Sequence, residues 1–324
     1  MPQWKIVSCG VPMMMQAGEK EATDERTETP HATEAASLLR LSKDLFAEHF
    51  NRRHFVIEHG LSGHPLFALP RLIQLARDTA ETRPSDLYYD AGVTDLNEKW
   101  GTSPSAFPVD ETIRRIDTAG AFIILKRAEH DAAYAKLLDG CMSDLLQVSG
   151  RELQRKMRRK EVIIFVTSPK RITTYHIDSE TNFLLQVQGR KEISIFSKYD
   201  REVLPESEIE RFWAVDTNAA VYKPQFQSHA DVVTLKPGNG VHIPVNAPHW
   251  VQNGDNISVS VSMNYHSYDS EWAHLYSVNY YLRNKLGINP TPPFQSAALD
   301  ALKRPIGALV TKVRDLRYGP VRKR

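Results

Sequence analysis

From Val162 to Asn264 the chain is a series of apolar runs of strand length. They fall at 162–166, 183–187, 192–196, 231–235, 241–244 and 257–264, and Gly189, Pro237-Gly238 and Asn253-Gly254-Asp255 separate them. Runs this short, punctuated by turn formers, specify an all-β sandwich or barrel. Ser194-Ile195-Phe196 and Ser258-Val259-Ser260-Val261-Ser262 alternate in polarity, so one face of each is expected to be buried.

Helical periodicity flanks this half on both sides. Leu38, Leu39, Leu41, Leu45, Phe46 and Phe50 recur at helical spacing, as do residues in 66–78 and 131–148. Short strands are expected at 54–57, 87–89 and 121–125. After Asp269 a helix rich in aromatics runs from Ser270 to Leu286, a Pro-rich loop follows, and a last helix covers about 297–317. The expected fold class is mainly β with flanking α. The expected organisation is a flexible tail at 1–35, an α/β region at 36–160 that lends strands to the barrel, the barrel at 161–268, and a helical region at 269–324.

Composition narrows the function classes. The 324 residues carry a net charge of +2, so no global field draws the chain to nucleic acid or a membrane surface. No apolar stretch approaches the roughly 18–20 residues of a spanning helix. The patches before Met15 are broken by Ser8, Gly10 and Pro12, which argues against a secretion signal. Cys9 and Cys141 are the only cysteines, which fits a reducing compartment and excludes a cysteine-built metal cluster. A cytoplasmic location is expected. The basic segments 151–160 and 303–324 read either as solvated helix surface or as a contact for an acidic partner. Tyr88, Tyr89 and Asp90 either line the barrel mouth or pack within a strand.

The chemistry concentrates at His176-x-Asp178. In an extended chain residues i and i+2 share a face, so this imidazole and carboxylate project together. His249, after Pro244 to Pro248, is the candidate third ligand from an adjacent strand. Two histidines and one carboxylate form the facial triad of non-haem Fe(II) oxygenases, which leaves positions open for a bidentate keto acid and O₂. The far carboxylate of the keto acid then needs a cation. Lys191 lies fifteen residues past His176, beyond the Gly189 turn. Thr173 can add a hydroxyl, and Asn264 offers an amide near the metal.

The stretch 162–265 resembles the cupin-like Jumonji C oxygenases, most of all the hydroxylase branch typified by the asparaginyl hydroxylase of hypoxia-inducible factor. The resemblance rests on Thr173-x-x-His176-x-Asp178, Asn182-Phe183, Gly189-x-Lys191, Pro237-Gly238 to Pro244, His249-Trp250 and Asn264. Phe46-x-x-His49-Phe50 and Arg53 to Ile57 extend it toward the N-terminus. It implies a double-stranded β-helix, or jelly-roll, with flanking helices. It also implies Fe(II) on His176, Asp178 and His249, the 2-oxoglutarate C5 carboxylate on Thr173 and Lys191, and a cofactor pocket lined by Asn182 and Asn264. One departure stands out: a tyrosine that contacts the same carboxylate in that branch falls at Phe122 here.

The resulting expectation is an Fe(II)/2-oxoglutarate-dependent dioxygenase that hydroxylates a peptide side chain or a small amino-acid-like molecule. Asp178 occupies the position a halide would need. Without zinc-finger cysteines or a histone-reading module, hydroxylation ranks above demethylation. The alternatives are a cupin metal enzyme that uses no 2-oxoglutarate, and a non-catalytic sensor of the same fold. By the same resemblance, the C-terminal helices are expected to make a homodimer.

Overall fold

A computed structural model of the chain describes residues 37–92, 95–98, 107–157, 159–266 and 269–318. The expected tail at 1–35 lies outside the described residues. The strands are β1 (Leu39–Arg40), β2 (Phe55–His59), β3 (Leu87–Ala91), β4 (Ala121–Leu125), β5 (Arg159–Thr167), β6 (Ile172–His176), β7 (Thr181–Gln188), β8 (Lys191–Ile195), β9 (Asp231–Leu235), β10 (Asn239–Ile243), β11 (His249–Asn253) and β12 (Ser258–His266). The helices are α1 (Lys43–His49), α2 (Leu69–Thr82), α3 (Val109–Arg114), α4 (Ala132–Lys156), α5 (Glu206–Ala214), α6 (Asp269–Leu286) and α7 (Ala297–Tyr318).

Two antiparallel sheets face each other, as a double-stranded β-helix requires. The larger has the order β1-β2-β10-β7-β12-β5-β4-β3 and the smaller the order β6-β11-β8-β9. The chain crosses from one sheet to the other at Gly189, between β7 and β8. Gly189 has φ +77°, and a Cβ there would lie 2.2 Å from the Ile257 carbonyl oxygen, so only glycine fits this corner.

The larger sheet is buried on both faces. Its outer face, with Phe183, Leu185, Val259, Val261 and Met263, packs in one core with Leu72 and Leu75 of α2 and Leu138 and Leu145 of α4. Its inner face meets the smaller sheet through Leu184, Val241 and Ile243 against Ile193, Ile195 and Val251. Burial on both sides explains why β7 reads as a nearly continuous apolar run. The alternation of β12 therefore separates a helix-facing apolar side from a barrel-facing polar side, Ser258, Ser260, Ser262 and Asn264, and these four are buried too. The expectation of a single buried face for this strand is corrected accordingly.

Two further readings change, while the basic segment 151–160 keeps its reading as a helix end. The helix read from Leu38 onward begins only at Lys43, because Leu39 and Arg40 pair with His59 and Glu58 and Ser42 caps the helix by accepting from Leu45 N (3.3 Å). α5 was not foreseen, although Pro205 and the spacing of Ile209, Phe212 and Trp213 are helix signals. The basic segment 151–160 is the end of α4, broken at Gly150, followed by the start of β5. Among the described residues, no helix is long and apolar enough to cross a membrane.

Candidate metal and keto-acid site

His176 closes β6, Asp178 follows it, and His249 opens β11. The register places His249 opposite His176. Asp178 Oδ1 lies 3.8 Å from His176 Nε2, and Asp178 Oδ2 lies 3.7 Å from His249 Nε2. One donor atom from each residue falls within 4.8 Å of the others, and the imidazole centroids are 4.2 Å apart. These gaps exceed a hydrogen bond.

Each ring is oriented from behind. His176 Nδ1 lies 2.7 Å from the Thr174 carbonyl oxygen, and His249 Nδ1 lies 3.0 Å from the Ala247 carbonyl oxygen. A carbonyl only accepts, so each Nδ1 carries a proton, and Nε2 is the atom each ring turns to the centre. Burial and the neighbouring His176 lower the His249 pKa to about 3, which keeps that ring neutral. Two imidazoles fixed through Nδ1, with a carboxylate between them, form the donor set an Fe(II) ion takes.

The triad forms part of the wall of a cavity of about 300 Å³. Thr173, Asn182, Lys191 and Asn264 line the same cavity, so all seven residues singled out from the sequence converge on one space. Lys191 is buried, and among the described residues no carboxylate or carbonyl pairs with its ammonium group. Burial alone lowers its pKa to about 7. A buried, uncompensated ammonium is costly, and an anionic ligand is what would offset it. The residues present therefore fit both the metal and a keto-acid carboxylate. Arg190, the other cation near the turn, is exposed and is not part of the lining.

The profile of the cupin-like domain family matches residues 110–271, half of the chain, and this span holds all seven residues. The chain belongs to the cupin-like domain family. No curated protein sequence matches it. Among solved structures, the X-ray structure of E. coli ycfD is 16% identical over 87% of this chain and 70% of that one, with a TM-score of 0.48. The structure of YcfD, a ribosomal oxygenase from Escherichia coli, in complex with cobalt and 2-oxoglutarate is 17% identical over 86% and 68%, with a TM-score of 0.46.

Several features of this cupin-like site were not read from the sequence. Ser262 Oγ lies 2.7 Å from Asn182 Oδ1 and 2.8 Å from Asn264 Oδ1, and its one proton serves one of them at a time, which joins the two amides across β7 and β12. Its position two residues before Asn264 on an alternating strand was the available signal. Phe212, Thr217 and Asn218, from α5 and the loop after it, also line the cavity, as do Lys126 and Glu180. Phe122 does lie in the wall, beside Phe165 (ring centroids 5.8 Å), so the substituted aromatic faces the same space. Tyr88, Tyr89 and Asp90 do not line it. Tyr88 donates to Asp90 Oδ2 (2.7 Å), and Asp90 Oδ1 accepts from Arg171 Nη2 (2.6 Å) in a buried ion pair that ties β3 to the start of β6.

Proposed function

We propose that this chain is an Fe(II)- and 2-oxoglutarate-dependent oxygenase that hydroxylates a peptide side chain or a small amino-acid-like molecule. The observation that carries the reading is the pairing, in one cavity, of a His176–Asp178–His249 donor set with the unpaired buried ammonium of Lys191. Iron, 2-oxoglutarate and O₂ supply the oxidising chemistry, in which the keto acid becomes succinate and CO₂.

The chain's own residues bind, orient and exclude water. Asp178 and the two Nε2 atoms would hold the metal. Lys191 would pair with the C5 carboxylate, and Thr173 would add a hydroxyl to it. Charge-assisted hydrogen bonds of this kind are the strong ones, and a low-dielectric site strengthens them further. The Asn182–Ser262–Asn264 amides would fix the keto acid from the β7 and β12 side. Phe122, Ile163, Phe165, Leu184 and Val251 give the cavity dry walls.

Asp178→Ala tests the reading. It should abolish Co(II) uptake and the visible charge-transfer band that wild type develops with Fe(II) and 2-oxoglutarate under anaerobic conditions, with an unchanged circular dichroism spectrum. Full uptake by the variant would refute the triad assignment. A second reading, a cupin metal enzyme without 2-oxoglutarate, is favoured by one observation: Phe122 brings no hydroxyl to the carboxylate end. Wild type that binds Co(II) but shows no band with the keto acid would select it.

The C-terminal helices carry the proposal of a homodimer. On α7, Leu299, Leu302, Ile306, Leu309, Val313 and Leu316 recur at alternating spacings of three and four, and all six are exposed. That is the seam of a helix awaiting a helical partner.

A further inference from the structure

The turn between β10 and β11 touches two of the three triad residues. Asn246 N donates to the Asp178 carbonyl oxygen (2.9 Å), and the Ala247 carbonyl accepts from His249 Nδ1 (3.0 Å). Asn246 sits at φ 62°, a left-handed conformation that Asn tolerates better than most residues. Its side chain is buried and is not among those that line the cavity. Asn246 Oδ1 accepts from Trp213 Nε1 of α5 (3.0 Å). On the other side, Val245 N donates to Asn51 Oδ1 (3.1 Å).

Trp213 is in turn held by the C-terminal helices. Its ring lies 6.5 Å from Tyr276 at an 11° interplanar angle and 6.1 Å from Trp272, both on α6. Arg283 of α6 forms a two-pronged pair with the buried Glu210 of α5 (2.8 and 3.1 Å). Arg314 of α7 donates to the Trp213 and Ala214 carbonyls (3.3 and 2.8 Å). The Asn246 amide thus spans the gap between the helical layer and the strand ends that carry Asp178 and His249.

We propose that Trp213 is a positioning residue for the metal triad. Through Asn246 it sets the turn that fixes the Asp178 backbone and the His249 tautomer, and so links the packing of α6 and α7 to the metal centre. The proposal rests on the reading that the triad binds a metal. Its physical basis is that groups behind metal ligands commonly contribute 10–100-fold in affinity.

The test is Co(II) titration of the purified full chain, read by affinity and by the visible absorption of the bound ion. Trp213→Phe keeps an aromatic ring and removes the donor. Asn246→Gly keeps the left-handed backbone and removes the acceptor. Each should weaken Co(II) binding about tenfold and alter the absorption envelope. The double variant should be no weaker than either single one, because both remove the same link. Tyr134→Phe serves as the control. It deletes a part-buried hydrogen bond from α4 to the Leu66 carbonyl, in the core on the outer face of the larger sheet, with a comparable stability cost, and should leave Co(II) binding unchanged. Trp213→Phe and Asn246→Gly binding Co(II) within twofold of wild type would overturn the link and leave the oxygenase reading intact. Wild type taking up no Co(II) would overturn both.

Discussion

Replacing Lys191 with methionine should make the ligand-free protein more stable. Lys191 is buried in a cavity wall, no anion pairs with its ammonium among the described residues, and burial lowers its pKa from 10.5 to about 7. Between those two values the unfolded chain holds a proton that the folded chain does not, so stability rises with pH across that window. The full gap corresponds to about 5 kcal/mol. At pH 7 about 4 kcal/mol of it opposes folding, and at pH 9 about 2 kcal/mol. Methionine fills a similar volume without a charge, so Lys191→Met should recover up to these amounts, with cavity water making them ceilings. Urea unfolding of the metal-free, keto-acid-free protein at both pH values is the assay. The variant should gain a few kcal/mol at pH 7 and clearly less at pH 9. In parallel, 2-oxoglutarate with Co(II) should raise the wild-type midpoint and leave the variant's where it is. A variant no more stable than wild type at pH 7, or a gain that does not shrink at pH 9, would refute the reasoning, since Lys191 could then not be both desolvated and unpaired.

Phe122→Tyr should tighten 2-oxoglutarate binding by about tenfold, the value of one added hydrogen bond to a charged group, as read by the anaerobic charge-transfer titration; weaker binding would mean that the carboxylate does not lie beside this wall. Arg171→Met leaves the buried Asp90 carboxyl, already raised above its ordinary pKa by burial, without its cation, and should cost about 3–5 kcal/mol in urea unfolding at pH 7. Because the folded-state Asp90 pKa is raised, that cost should shrink as the pH falls toward 4 and the carboxyl accepts a proton. Leu302→Glu with Leu309→Glu should convert a dimeric species to a monomer in analytical ultracentrifugation with little change in the unfolding midpoint, and a monomeric wild type would remove the α7 seam as an interface.

The residues of the proposed metal and keto-acid site could be grouped from the sequence because each lies at or near a strand end whose direction follows from local pattern. His176-x-Asp178 needed only the alternation of an extended chain, and Lys191 only the Gly189 corner. His249 required the assumption that its strand lies beside β6, which the register now shows. What escaped was the support that arrives from far along the chain. Nothing local in Asn246 announces that an indole from α5 will bond its side chain, and nothing in Trp213 announces the turn. The polar side of β12 was misassigned for a related reason: serine in an alternating strand reads as solvent-facing unless a second sheet covers it. Leu38 and Leu39 misled in the opposite sense, because their helical spacing with Phe46 yielded to strand pairing with His59.

The family profile begins at Asp110, yet β2 pairs with β10 from Asn239 to His242, and β3 pairs with β4 along its whole length. A fragment trimmed to the profile would leave bare strand edges at β10 and β4, and would uncover His242, which stacks on Phe50 and packs at a tilt against Phe55 in the intact chain. Bare edges invite pairing with other chains. For anyone grafting or shuffling this barrel, the transferable module therefore reaches back at least to Leu39, and a recombination junction placed nearer the His176–Asp178–His249 cluster would exchange a closed sheet for a sticky one.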